Sequence, residues 1–226
     1  MIRLALALTA FLALVGSAPA ADTKLTVKVE KADPPKELSD AVRKTLGDQA
    51  MTVFDENGKL MCTVWAAKSL DTKATAAQAK AGLKYAHVEE TTVVGAVKFA
   101  EEWKDYRKQK IKPGVYTLRL GIQLMDGDHM GTAPYNEFAL LCPAAEDKAP
   151  DLIDVKEMYE LSGKSTGRKH PGLILLFPNK TPAEAPAMEA KPKEHVVLSY
   201  RVHATAEGEK ANLGFSLVVV GVTMSE

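Results

Sequence analysis

Apolar and polar residues alternate with period two along several stretches of this chain, the pattern of strands that lay one face on a core. The clearest stretch is 115–124: Tyr116, Leu118, Leu120, Ile122 and Leu124 fall on one face, Thr117, Arg119 and Gln123 on the other. Residues 24–30 repeat the pattern with Leu25, Val27 and Val29, and residues 195–205 with Val196, Leu198, Tyr200 and Val202. Further strands are predicted at 50–54 and 60–65, flanking the turn Asp55-Glu56-Asn57-Gly58, and at 92–99, 136–142, 173–177 and 213–222. Runs apolar on both faces, as in the last two, suit strands covered on both sides. About nine strands at this spacing predict one antiparallel β-sandwich.

A change of period marks two helices. The first follows Asp33, Pro34 and Pro35, with Leu38, Val42 and Leu46 at i, i+4 and i+8 and Gly47 placed as a C-terminal cap. The second is predicted over 151–161, with Asp154 and Glu157 in capping-box spacing and Gly163 beyond its end. Both read as covers for sheet edges or ends. Residues 74–82 are Ala-rich, a loop or a short helix. Residues 178–194 hold Pro178, Pro182, Pro186 and Pro192 and read as an extended, mobile connection. Two final strands cannot stand alone, so 21–226 is predicted to be one β-sandwich domain with this Pro-rich loop inside it.

The first twenty residues change the picture of where the domain works. Arg3, an apolar run over 4–16 and Ala18-Pro19-Ala20 have the three parts of a secretory leader. Residues 1–20 are therefore expected to be a signal peptide, cleaved so that the mature chain begins at Ala21. The product is expected in the periplasm or outside the cell, with no membrane span after cleavage. Cleavage removes Arg3 and no acid, leaving 28 basic and 29 acidic residues. So balanced a surface lacks the basic field that a phosphate backbone requires, which argues against nucleic acid as a partner. Cys62 and Cys142 sit in strand-like segments beside apolar neighbours, and both a disulfide and two buried thiols fit that placement.

Recognised catalytic motifs fail on inspection. Ser162-Gly163-Lys164-Ser165-Thr166 imitates the end of a phosphate-binding loop, but Met158 stands where the motif needs its first glycine, so the segment reads as a polar turn. Gly214-Phe215-Ser216 runs on into Leu217 without forming a nucleophile elbow. The five histidines contain no H-E-x-x-H pair. The densest aromatic cluster, Trp103-Lys104-Asp105-Tyr106-Arg107, offers a surface for recognition or an ordinary hairpin.

One segment stands out, residues 126–137 between two predicted strands. Against the twelve-residue calcium loop it supplies Asp126 at position 1, Asp128 at 3, Gly131 at 6 and Glu137 at 12. It departs from the loop at position 5, where Met130 replaces an oxygen ligand, and it carries Pro134. For a softer metal it offers His129 and Met130, with Met125 before them and Cys142 on the following strand; imidazole, thioether and thiolate suit copper. Ca²⁺ fits better than Cu, with Asp126, Asp128, His129 and Glu137 as the ligand set. Turn chemistry alone also accounts for the composition, since Asp side chains accept nearby N–H groups and Gly131 permits positive φ.

With the strand Pro113-Gly114-Val115-Tyr116-Thr117-Leu118 before it, this loop resembles a group of exported bacterial β-sandwich proteins of unknown function that join a P-G-x-Y-x-L strand to a D-G-D-H-M-G-T-A-P-Y-like loop. The resemblance covers about thirty residues and implies fold and compartment only. Three functions remain open: a non-catalytic binding or accessory domain with an envelope partner or ligand, a metal-binding protein using the 126–137 loop, or an enzyme of unfamiliar type. If the loop binds a hard cation, added calcium should raise the melting temperature by mass action, and Asp126→Ala should abolish the rise. Copper predicts instead that His129→Ala abolishes it, and no shift at millimolar metal leaves the loop as a turn.

Overall fold

A computed structural model describes residues 23–123 and 133–223. Among these residues the strands are β1 (Thr26–Lys31), β2 (Leu46–Phe54), β3 (Leu60–Ala67), β4 (Ser69–Thr72), β5 (Val93–Phe99), β6 (Trp103–Lys104), β7 (Lys110–Ile111), β8 (Gly114–Ile122), β9 (Glu137–Pro143), β10 (Leu173–Leu175), β11 (Ala187–Lys191), β12 (His195–Ala206) and β13 (Glu209–Val220). The helices are α1 (Asp40–Thr45), α2 (Ala76–Lys80) and α3 (Val155–Thr166). Seven strands form one sheet in the order β1-β2-β3-β5-β8-β9-β10, every neighbouring pair antiparallel. The second sheet is built on the long β12–β13 hairpin. One edge of β12 is shared: β11 pairs antiparallel with its first half and β4 pairs parallel with its last four residues. No helix among the described residues is long and apolar enough to cross a membrane.

The two sheets face each other across the largest apolar cluster. Met51, Val53, Val64, Val97, Leu118, Leu120 and Leu141 from the first meet Leu198, Tyr200, Val202, Leu213, Phe215 and Leu217 from the second. This antiparallel β-sandwich is the fold the alternation predicts, and Tyr116, Leu118 and Leu120 are buried on the inner face of β8. Ile122 at the strand end is half-buried, and Leu124 lies outside the described residues. The sheets touch along one side, where Leu176 bridges to Leu217 and the Phe177 N–H donates to the Ser216 carbonyl at 2.9 Å.

The first sheet is covered on its outer face as well. Around α1, Leu38, Val42 and Leu46 pack on Ala50, Trp65, Ala96 and Val115. Around α3, Met158 packs on Phe138, Leu140, Leu173 and Leu175. Both helices differ from the sequence expectation for physical reasons. The first ends at Thr45: Leu46 reaches the same apolar cluster as the opening residue of β2, paired with Ala67, and Gly47 is a strand residue, not a cap. The second is capped by Asp154, whose carboxylate accepts the Lys156 and Glu157 N–H groups, but it runs on to Thr166. Gly163 lies inside it because the Arg168 carbonyl stands 3.0 Å from where a Cβ would be, and Gly167, at φ 65°, ends it. Ser162-Gly163-Lys164-Ser165-Thr166 is thus the last part of a helix, not a turn. The Pro-rich stretch also departs from expectation, since β11 forms within it and pairs with β12.

The double covering changes what the polar face of β8 means. Thr117 and Arg119, on the face opposite Leu118 and Leu120, are fully buried beneath the segment that follows β9. All five N–H donors of the Arg119 guanidinium are used. Nε donates to Asp147 Oδ2 at 2.8 Å and Nη2 to Asp147 Oδ1 at 2.7 Å, a two-pronged contact. Nη2 also donates to the Ala149 carbonyl at 2.6 Å, and Nη1 to the carbonyls of Thr91 at 2.7 Å and Asp151 at 2.9 Å. The Thr117 hydroxyl donates to the same Asp147 carboxylate. Thr91 itself sits at φ 72°, a strained conformation for a β-branched residue. It is held there by Arg119 on its carbonyl and by the Ile153 N–H on its hydroxyl at 3.2 Å.

Removing one partner of a buried, hydrogen-bonded pair leaves the other charge uncompensated. Asp147→Ala is therefore expected to lower the unfolding free energy by about 3–5 kcal/mol in urea denaturation. A loss below about 1 kcal/mol would mean that water reaches the guanidinium.

Candidate functional site

Of the four residues nominated as metal ligands, Asp126, Asp128 and His129 lie outside the described residues, as do Met130 and Gly131. Glu137 opens β9, half-buried, on the inner-face side with Ala139 and Leu141. Cys142, considered as a soft ligand, pairs with Thr117 on the opposite face and lies about 17 Å further along the strand at about 3.4 Å per residue, so it cannot share an ion with Glu137. Cys62 and Cys142 are both free and buried, and burial pushes each thiol up to about 12. Both are protonated at neutral pH and behave as small apolar side chains. Among the described residues no three His, Cys, Asp or Glu side chains converge as a metal centre.

The aromatic cluster at 103–107 is a hairpin. Trp103 stacks on Phe99 with ring centroids 4.7 Å apart, and Tyr106 is buried. The Asp105 carboxylate is enclosed and accepts the N–H groups of Arg107 at 2.9 Å, Gln109 at 2.7 Å and Leu173 at 3.3 Å. These residues hold β6–β7 against β10. His195 is buried between Tyr106 and Phe177, with Nδ1 donating to the Pro192 carbonyl at 2.8 Å and Nε2 unpartnered. One imidazole in an aromatic setting makes no reactive pair.

The concave surfaces differ in how much of their charge is already committed. A cavity of about 390 Å³ beside α3 contains Arg119, Glu146, Asp147 and Lys164. Arg119 has no donor left for a ligand, and Lys164 pairs with Glu146 at 2.9 Å. A second, of about 360 Å³ at the open edge between the sheets, sets Asp48 and Glu184 against Lys68 and Arg201. There Asp48 pairs with Lys31 at 3.6 Å and Lys68 donates to the Lys44 carbonyl at 2.9 Å.

Two further concavities share a lining residue. A groove of about 390 Å³ is bounded by α2 and its C-terminal turn, by Lys180, Thr181 and Pro182, and by Arg201 and Asn212. Lys80 and Lys180 make no ion pair among the described residues, and Arg201 reaches only the exposed Glu184, at 3.9 Å. Elsewhere lysines such as Lys59 and Lys73 contact carboxylates at 2.5 and 2.8 Å. Lys180 also lines a slot of about 230 Å³ whose walls include Leu83, Tyr85, Leu213, Lys84 and Glu137. The slot is mainly apolar, the groove basic, and Lys180 stands at their junction.

Local sequence builds both. Thr75 and Gln78 form a capping box that starts α2. Gly82 ends it at φ 99° and lets the Lys180 carbonyl come within 3.3 Å of where a Cβ would stand, which brings Lys80 and Lys180 to one groove. Tyr85 pins the slot: its hydroxyl donates to the Phe177 carbonyl at 2.9 Å and accepts the Ser216 N–H at 3.0 Å. Asn179 Nδ2 donates to the Phe215 carbonyl at 3.1 Å, and Gly214 admits the Asn179 backbone, which would stand 2.4 Å from a Cβ.

The turn carrying Lys84 and Tyr85 has a titratable clasp. His87 Nδ1 accepts the Lys84 N–H at 3.1 Å. Burial, and then the Lys84 ammonium, lower the His87 pKa. Its folded value lies below the unfolded value of about 6.5, so stability from this contact is present above that pH and lost as pH falls through the lowered value. An NMR titration should place the His87 midpoint below about 6.5, and Lys84→Met should return it only part of the way, burial being the larger cause. A midpoint at or above about 6.5 would mean the clasp is open.

No protein-family model matches the chain, and neither a curated protein nor a solved structure matches it.

Proposed function

We propose that the mature chain is a non-catalytic binding domain of the periplasm or cell envelope, and that it takes small anions in the groove bounded by α2, Lys180 and Arg201. The resemblance of residues 1–20 to a secretory leader supports the compartment. What supports the binding role is the set of cations at one concavity, Lys80, Lys180 and Arg201, with Glu184 the one carboxylate paired with any of them among the described residues. In a chain whose basic and acidic residues balance at 29 each, such a local surplus sets up an attractive field where the rest of the surface is mixed. Three flexible side chains around an open groove suit a ligand held by charge rather than a reaction that needs fixed geometry.

Titration of the mature protein with acetate and inorganic phosphate at low ionic strength should shift the backbone NMR signals of Lys80, Gly82 and Lys180. The affinity should fall as salt is added, as expected for exposed charges. Reversing charge with Lys180→Glu removes an attraction and adds a repulsion, and should weaken binding by about fivefold or more. Equal binding by wild type and the Lys80→Glu/Lys180→Glu variant would remove the groove from consideration.

A further inference from the structure

The basic groove and the apolar slot are two cavities with one residue in common, Lys180. Resting on the anion-binding reading above, we infer that the ligand is amphipathic: a carboxylate on a short apolar chain, its head at Lys80 and Lys180 and its chain in the slot against Leu83, Tyr85 and Leu213.

Charge sets the orientation. Lys80, Lys180 and Arg201 line the groove with no acid among its lining residues, whereas the mainly apolar slot sets Glu137 against Lys84 and Lys180. A carboxylate entering the slot head-first would leave Lys80 and Arg201 and approach Glu137, so the head stays at the groove beside Lys180. An apolar chain in the slot meets no such penalty and removes its surface from water. The head class follows from the donors. Lys80 and Lys180 supply compact ammonium charges, and Arg201, in the same lining, adds a planar fork that matches the two oxygens of a carboxylate.

Size sets the chain length. The slot, at about 230 Å³, is smaller than the roughly 300–1,000 Å³ of pockets that enclose drug-sized ligands, so it has room for a short chain and not for a long acyl tail. Its walls are fixed rather than adaptable. Tyr85 is bonded at both lone-pair and proton sides, Asn179 is tied to β13, and Gly214 leaves no side chain to swing into the space. A preformed cavity of this kind loses little on ligand entry, since ordering has already occurred in folding.

The experiment is a homologous series, acetate, butanoate, hexanoate and octanoate, titrated into the mature protein at constant ionic strength and below micelle formation. Affinity should rise about fourfold for each methylene that enters the slot, and level off once the slot is full. The methyl signals of Leu83 and Leu213 should move with hexanoate and not with acetate. Lys180→Glu should weaken every member by a similar factor and leave the chain-length slope in place. A series of equal affinities, with the Lys180→Glu effect retained, would overturn the amphipathic ligand while leaving the anion site intact. If no member binds, the anion site itself falls, and this inference with it. A slope that persists while the Leu83 and Leu213 methyls stay fixed would place the chain elsewhere and overturn the slot assignment.

Discussion

A guanidinium cannot be taken out of water without partners for all of its donors, and in this fold one is enclosed at the centre of the larger sheet. Arg119 stands on β8, the fifth of seven strands, on a face covered by two helices and the chain between them. Asp147, Ala149 and Asp151 must therefore come back over the sheet, and Thr91 must turn its carbonyl inward at a backbone angle that a β-branched residue disfavours. A buried pair of this kind is a poor net source of stability, because desolvation consumes most of the attraction. Its effect is to restrict alternatives. Packings that leave the 143–154 segment elsewhere strand a charge, whereas an apolar residue at the same position would accept several coverings.

That constraint explains where sequence reading succeeded and where it stopped. Alternation along β8 predicted the inner face residue by residue, because Leu118 and Leu120 need a core whatever lies behind them. The same alternation places Thr117 and Arg119 on the other face and goes no further. Period two separates the faces of a strand but says nothing about whether the second face is covered, and the cover here comes from residues about thirty positions later. Gly47 and Gly163 were misread for a related reason. Glycine after or within an apolar repeat signals a cap, a strand or a close approach, and only the Arg168 carbonyl over Gly163 distinguishes the last.

The groove was less legible still. Its cations come from α2, from the segment after β10 and from the middle of β12, so no local spacing joins Lys80, Lys180 and Arg201. Two signals existed in the chain: Gly82 closing an Ala-rich stretch, and a lysine within the Pro-rich run. Each reads as ordinary loop composition until the Lys180 carbonyl is seen against Gly82. The 126–137 segment drew notice because its spacing matched a known ligand pattern. Of its nominated ligands, Glu137 is the one among the described residues, and it faces an apolar slot.

The parallel pairing of β4 with the end of β12 carries a consequence for how the protein is made. His203 lies beside Ser69 and Thr205 bonds the Asp71 carboxylate at 2.6 Å, partners separated by 134 residues. During synthesis β4 emerges long before its neighbour exists, and the inner faces of β2, β3, β5 and β8 all precede the β12–β13 hairpin that covers them. Contacts of such separation delay folding until β12 and β13 have been made. The half-built sheet therefore waits with an apolar face open to water, a state that favours chaperone binding and that leaves the polypeptide threadable until β12 and β13 arrive.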